Sequence, residues 1–150
     1  MIYVLIIAGA IALDRIVKHL VISSFSAGDT VPVLGDFFHI TYVQNRGIAF
    51  SMLEGQETVI LAATTALLIA GLVFLVLFRR RFPLMFNVGL SLVCGGGLSN
   101  VIDRATYGYV IDMFDFGRFP VFNVADTCIC VGCGLILLYA LVSMKDDDKA

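Results

Sequence analysis

Two stretches of 21 residues, Thr58–Phe78 and Phe82–Ile102, carry no charge at all, and only Arg79-Arg80-Arg81 stands between them. A helix needs about 20 apolar residues to cross a hydrocarbon core. Backbone in lipid must satisfy its own hydrogen bonds, so runs of this kind fold as helices. Thr127–Met144 adds 18 uncharged residues and extends back through Phe119–Ala125 if Asp126 is admitted. Met1–Leu13 is too short alone. It spans only if Asp14, Arg15 and Lys18 belong to the same helix, ending near Phe25. The expectation is an all-α membrane protein of one domain, with four transmembrane helices near 2–25, 57–78, 83–103 and 121–144. The 59% hydrophobic content fits, since soluble domains are nearer half apolar.

The basic triplet sets the orientation. Short loops rich in Lys and Arg stay in the cytoplasm, so both termini are expected there, and the two long connections, roughly 26–57 and 103–118, face outward. Met1–Leu13 lacks a basic leading region and runs into charges, so no cleavable signal peptide is expected. A net charge of −2 without a basic patch gives no reason to expect nucleic acid. The four cysteines, Cys94, Cys128, Cys130 and Cys133, all lie in apolar runs with His19 and His39 far away in sequence. They read as small buried hydrophobes, with no metal.

The outer segments are patterned. In Asp36–Val43, Phe38, Ile40 and Tyr42 alternate with His39 and Thr41, which is a strand pattern. Asn45-Arg46-Gly47 supplies a turn, and Ile48–Leu53 is expected to return as a second strand. A small extracytoplasmic β-sheet platform over roughly 29–54 follows, its apolar face on lipid or on a lipidated substrate. The 103–118 connection is expected to be a loop or short helix.

Ionised carboxylates at membrane depth are costly and usually functional. Asp112 and Asp126 are set among apolar and aromatic residues, with no countercharge beside either in sequence. Two carboxylates sharing one site cannot both ionise easily, so they hold one proton between them. That state supplies a base to activate water and an acid to protonate a leaving group. Asp14 and Lys18, four apart on one helix face, read as a self-neutralising structural pair. Asn100, Asp103 and Arg104 share a face of helix three, and Asn123 and Asp126 a face of helix four. These residues either bind helix ends together or serve the aspartates. Asp103 is expected to find its countercharge in Arg104.

The motifs resemble those of lipoprotein signal peptidase, or signal peptidase II, a bacterial family of membrane aspartic peptidases. The resemblance covers nearly the whole chain. It runs from D-x-x-x-K (Asp14, Lys18) and N-x-G-x-A-F (Asn45, Gly47, Ala49, Phe50) to G-G-x-x-x-N-x-x-D-R (through Asn100, Asp103, Arg104), V-x-D (Val110, Asp112) and F-N-x-A-D (Phe122, Asn123, Ala125, Asp126). One departure stands out: Ser99 occupies a position where the family often has glycine, and a local adjustment without loss of activity is expected.

The resemblance implies Asp112 and Asp126 as the catalytic dyad. Asn45, Gly47, Asn100, Asp103, Arg104 and Asn123 would hold substrate or support the dyad. The implied substrate is a prolipoprotein whose cysteine carries a diacylglyceryl group, cut on the N-terminal side of that cysteine. No metal or organic cofactor is implied. Membrane lipid and globomycin-type inhibitors are implied partners, the location is the bacterial inner membrane with the active site near its outer face, and a monomer is expected. Two other classes compete. A small proton-coupled transporter would use Asp112 and Asp126 as a proton path, but the two halves of the chain lack similarity. A non-enzymatic scaffold would explain the glycines but not two unpaired aspartates.

Overall fold

The computed structural model describes residues 1–47 and 55–147, with side chains as far as Met144. Its elements are α1 (Ile2–Ser24), β1 (Thr30–Leu34), β2 (Phe38–Asn45), α2 (Glu57–Phe78), α3 (Leu84–Tyr107), β3 (Val110–Asp115) and α4 (Val124–Asp147). Among the described residues, three helices are long and apolar enough to cross a membrane: Glu57–Phe78, Leu84–Tyr107 and Val124–Met144. α1 matches them in length, but Asp14, Arg15 and Lys18 break its apolar run, so the expected count of four is met by three on these grounds.

α3 is the central helix and packs against α1, α2 and α4. It is built inside out relative to a soluble helix. Its buried face is small or polar, with Asn87, Ser91, Cys94, Gly95, Gly96, Ser99, Asn100 and Asp103, while Leu84 and Ile102 lie outside. Hydrophobicity gives no drive for helices to associate in lipid, so small residues and polar links do that work. The seam with α4 is backbone to backbone. A methyl on Gly89 would lie 2.7 Å from the carbonyl oxygen of Gly132, and a methyl on Gly96 would collide with the Ala125 carbonyl. α1 turns the face of Ala10, Asp14, Lys18 and Val21 inward. α2 buries only Ile60, Leu68 and Leu75. Asn87 ties the α2–α3 corner shut by donating to the carbonyls of Arg79 and Phe82, each at 2.9 Å.

The sheet corrects the expected outer region in three ways. First, β2 forms a hairpin with β1 through Gly35, at φ +52°, and the sheet is antiparallel in the order β1-β2-β3. The strand expected at Ile48–Leu53 lies outside the described residues, as do Ala49, Phe50 and the end of the tail. Second, the 103–118 connection is neither a loop nor a short helix. α3 runs on to Tyr107, Gly108 turns the chain at φ +79°, and Val110–Asp115 joins the sheet as its third strand. Pairing with β2 outweighs the absence of a clean period-two pattern: Val43 stands opposite Asp112, and Asn45 opposite Val110. Third, the apolar face of β2 rests on protein. Tyr42, Ile111 and Met113 pack with Val21, and Ile40 joins them together with Val17 and Phe25 of α1.

The α3–α4 seam leads to a direct test. Gly96→Ala should destabilise the protein by about 1–3 kcal/mol, the usual cost of forcing a methyl into a filled interior. Gly134→Ala, with nothing within 4 Å of the added carbon, should be neutral or gain up to about 1 kcal/mol from helix propensity. Thermal unfolding in detergent compares the two, and equal midpoints would refute the seam's role.

Candidate active site

Asn123 and Asp126 come together through a helix start. Asn123 precedes α4, and its Oδ1 accepts the Asp126 N–H at 2.8 Å. The Asp126 carboxylate returns the link by accepting the Asn123 N–H at 3.3 Å. This reciprocal N-cap pattern follows from the spacing in Asn123-Val124-Ala125-Asp126. It fixes the Asp126 side chain in the first turn, where the helix dipole favours an anion. The segment after β3 folds back so that Phe122 exchanges backbone hydrogen bonds with Phe114 at 2.8 and 3.2 Å. That return sets Asn123 beside Asp112.

Asp112 is 2% exposed. One of its oxygens accepts from Asn123 Nδ2 at 2.7 Å and the other from Asn45 Nδ2 at 2.9 Å. Asp126 accepts from Asn100 Nδ2 at 2.8 Å. Carboxamides and a backbone amide therefore hold both carboxylates, and no ion pair reaches either one among the described residues. Burial pushes the Asp112 carboxyl up to about 7, and the nearby Asp126 charge pushes the same way, against the pull of Asn45, Asn123 and the more distant Lys18. Neutral donors satisfy the oxygens without forcing the proton off, which is the condition for a shared proton.

The two aspartates sit at the polar end of a cavity of about 720 Å³. Asn45, Asn100 and Arg104 complete that end. The rest of the wall is largely apolar, with Leu67 and Leu68 from α2, Val93 from α3, Ile129 and Cys130 from α4, and Phe119–Phe122 above. Arg104 donates to the Gly47 carbonyl at 2.8 Å, while its buried Nε has no partner among the described residues. Asn45 Oδ1 accepts the Gly47 N–H at 3.0 Å, a local turn that aims its amide at Asp112.

A second polar layer lies beneath. Lys18 Nζ is 2.7 Å from both Asp14 and Asp103, and Arg15 pairs with Asp103. Asp103 thus finds its countercharge on α1, and the expected partnership with Arg104 is replaced by one with Lys18 and Arg15. Its other role is to accept the Ile111 N–H at 3.2 Å, next to Asp112. Asp14 accepts the Ala125 N–H at 2.9 Å, next to Asp126. Ser99 does more than stay small: its hydroxyl donates to Asp14 at 2.6 Å and accepts from Arg15 Nε at 3.2 Å.

Arg15 was not singled out in the sequence. The signal was a charge count, because Asp14, Arg15 and Lys18 leave α1 with a surplus positive charge that needs a carboxylate elsewhere. No group of three or more His, Cys, Asp or Glu side chains among the described residues is placed to hold a metal ion. Cys94 is buried, Cys128 half-buried, and Cys130 and Cys133 lie exposed on α4, so only one of the four fits the buried role expected of them.

Comparison with known proteins gives the relatives of this chain. The family model described as signal peptidase (SPase) II, Peptidase_A8, matches residues 6–142. The lipoprotein signal peptidase of Halothermothrix orenii is 37% identical over 148 residues, covering 99% of this chain and 100% of the relative. That of Brevibacillus brevis is 39% identical over 145 residues, covering 95% and 97%. A solved structure described as a bacterial membrane enzyme at 2.3 Å resolution superposes with a TM-score of 0.88 at 31% identity, covering 96% of this chain and 90% of that one. Another, at 1.9 Å, gives 0.82 at 32% identity, covering 93% and 92%.

The carboxyl environment carries its own prediction. The Asp112 carboxyl should titrate near pH 7, with a carbon-13 label following the signal. Asp126→Asn removes a neighbouring negative charge and should lower that midpoint. A midpoint in the usual carboxylate range in the unsubstituted protein would contradict the buried pair.

Proposed function

The chain belongs to the signal peptidase II family, and on that premise we propose that it is an aspartic endopeptidase acting on diacylglyceryl-modified prolipoproteins. It cuts on the N-terminal side of the lipid-bearing cysteine and releases the signal peptide. The observation that carries this reading is the pair Asp112 and Asp126, held by neutral amides at the polar end of an apolar cavity. Such a cavity suits a substrate with an apolar helix, two acyl chains and one peptide bond to be hydrolysed.

In the proposed reaction Asp112 starts protonated, consistent with a carboxyl pushed up to about 7, and Asp126 starts ionised. Asp126 takes a proton from water as the water oxygen attacks the scissile carbonyl carbon. Asp112 gives its proton to the carbonyl oxygen, and a gem-diol forms. Asp126 then passes its proton to the leaving nitrogen as the carbon–nitrogen bond breaks, and Asp112 recovers a proton from the diol. General acid–base work of this kind contributes about 10²–10⁴-fold per group. Asn45, Asn100 and Asn123 keep the carboxylates aligned, and Arg104 with Gly47 holds the substrate backbone. No metal or organic cofactor takes part.

The same reading completes the topology. α1 is a fourth span made tolerable by paired charges, the Arg79–Arg81 corner and both termini lie in the cytoplasm, and the sheet and dyad lie at the outer face of the inner membrane. The protein works as a monomer, and globomycin-type inhibitors occupy the cavity over the dyad.

Purified protein in lipid, given a diacylglyceryl-modified lipobox peptide and a chelator throughout, tests the proposal. The unsubstituted enzyme should cleave. Asp112→Asn and Asp126→Asn should each lose at least about 10³-fold while remaining folded. Normal cleavage by either variant would sink the dyad, and abolition by the chelator would sink the metal-free mechanism.

A further inference from the structure

Lys18 touches both polar layers. It is 1% exposed. Two of its three ammonium protons are accounted for by Asp14 and Asp103. Charge neutralisation needs no more than that, yet Nζ also donates to Oδ1 of Asn100 at 3.0 Å. A carboxamide has one accepting end and one donating end, and an ammonium can only donate. With its oxygen held by Lys18, and by Asn123 Nδ2 at 3.2 Å, Asn100 can present only its NH₂ to Asp126. The opposite rotamer would set NH₂ against an ammonium and oxygen against a carboxylate.

We propose that Lys18 is a positioning residue for the peptidase reaction, acting through the Asn100 carboxamide to hold Asp126 in the geometry in which it serves as base. This rests on the reading of Asp112 and Asp126 as the catalytic pair. It assigns Lys18 a task beyond neutralising Asp14. The charged groups facing the dyad are Lys18 and Asp14 from α1, Asp103 and Arg104 from α3, and each aspartate toward the other. Arg15 is turned to Ser99 and Asp103. Lys18 pulls against the upward push on Asp112, and the Arg104 guanidinium, attracted to the same carboxylate, pulls the same way. Loss of Lys18 therefore sends that carboxyl still higher and moves the alkaline limb of the pH profile upward.

The test uses the full chain in lipid with the lipobox peptide. Asp14→Asn/Lys18→Met removes the ammonium and one partner charge together and leaves the Arg15–Asp103 pair in place. Asp14→Asn alone separates the two effects. The double variant should lose on the order of 10² in kcat, as for removal of an aligning hydrogen bond, with KM little changed and the alkaline limb shifted up. Adding Asn100→Ala should cost little more, because residues acting in series are not additive. A folded double variant with unchanged kcat and pH profile would overturn the proposal, as would losses that multiply with Asn100→Ala.

A second measurement needs no variant. Lys18 is one of three lysines, with Lys145 and Lys149, so nitrogen-15 lysine labelling resolves it. Its Nζ signal should follow the titration of Asp112, and a signal that ignores it overturns the proposal. Asp126→Asn, assayed in parallel, separates the two levels. Abolished cleavage there beside an unaffected Lys18 variant rejects only the role of Lys18, whereas normal cleavage there rejects the dyad.

Discussion

A lysine ammonium held between two carboxylates, where α1 meets α3, is the interaction on which the rest of the molecule depends. Asp14, Arg15, Lys18 and Asp103 sum to zero charge, and that sum is what lets α1 lie against α3. A buried ion pair is weak evidence of stability, but removing one partner costs about 3–5 kcal/mol because a bare charge is left behind. The group is also a junction. Asp14 reaches the backbone of α4 at Ala125, and Asp103 reaches β3 at Ile111. Each of these contacts is one residue away from Asp112 or Asp126. Helix packing and site geometry are therefore set by the same four side chains.

Asp112 and Asp126 are held in the opposite manner. Their oxygens meet amides; Lys18 and Arg15 stay one layer away, and Arg104 shares the cavity end without forming an ion pair with either carboxylate among the described residues. The contrast shows within β3 itself. Asp112 is buried under amides and carries its proton to about pH 7. Three residues on, the half-buried Asp115 accepts the Gly117 N–H and a Thr41 hydroxyl, which pull its carboxyl down. The strand presents two carboxyls with different proton affinities, and burial decides which one keeps its proton.

The apolar runs of α2, α3 and α4 were legible because 20 uncharged residues admit few alternatives. The meeting of Asp112 and Asp126 at one cavity end was legible because carboxyls in apolar surroundings are rare, and the capping spacing of Asn123 and Asp126 was written locally. β3 was not legible. Its residues are buried nearly throughout, so no alternation marks it, and its partner β2 lies some 70 positions earlier in the chain, from Val43 to Asp112. The glycines at its ends, both at positive φ, were the available sign. Asp103 was assigned to its sequence neighbour Arg104, but adjacent helical residues diverge by about 100° and cannot readily pair. The true partners lie 85 and 88 positions away, at Lys18 and Arg15. Long-range pairings of this kind are invisible to periodicity.

The cavity has unequal walls. On one side α3 and α4 meet backbone to backbone, with no room for a methyl group. On the other side stands α2, which buries three residues, packs chiefly against α3 and leaves a hollow of about 320 Å³ between itself and α1. The stiff wall carries Asp126, and the loosely held one carries Leu67 and Leu68. On the proposed function, the lateral pressure of the surrounding lipid would keep the compliant wall seated. A guest arriving sideways from the bilayer would then displace neighbouring acyl chains while the carboxyls kept their spacing, and the resistance it met would belong to the membrane more than to the protein.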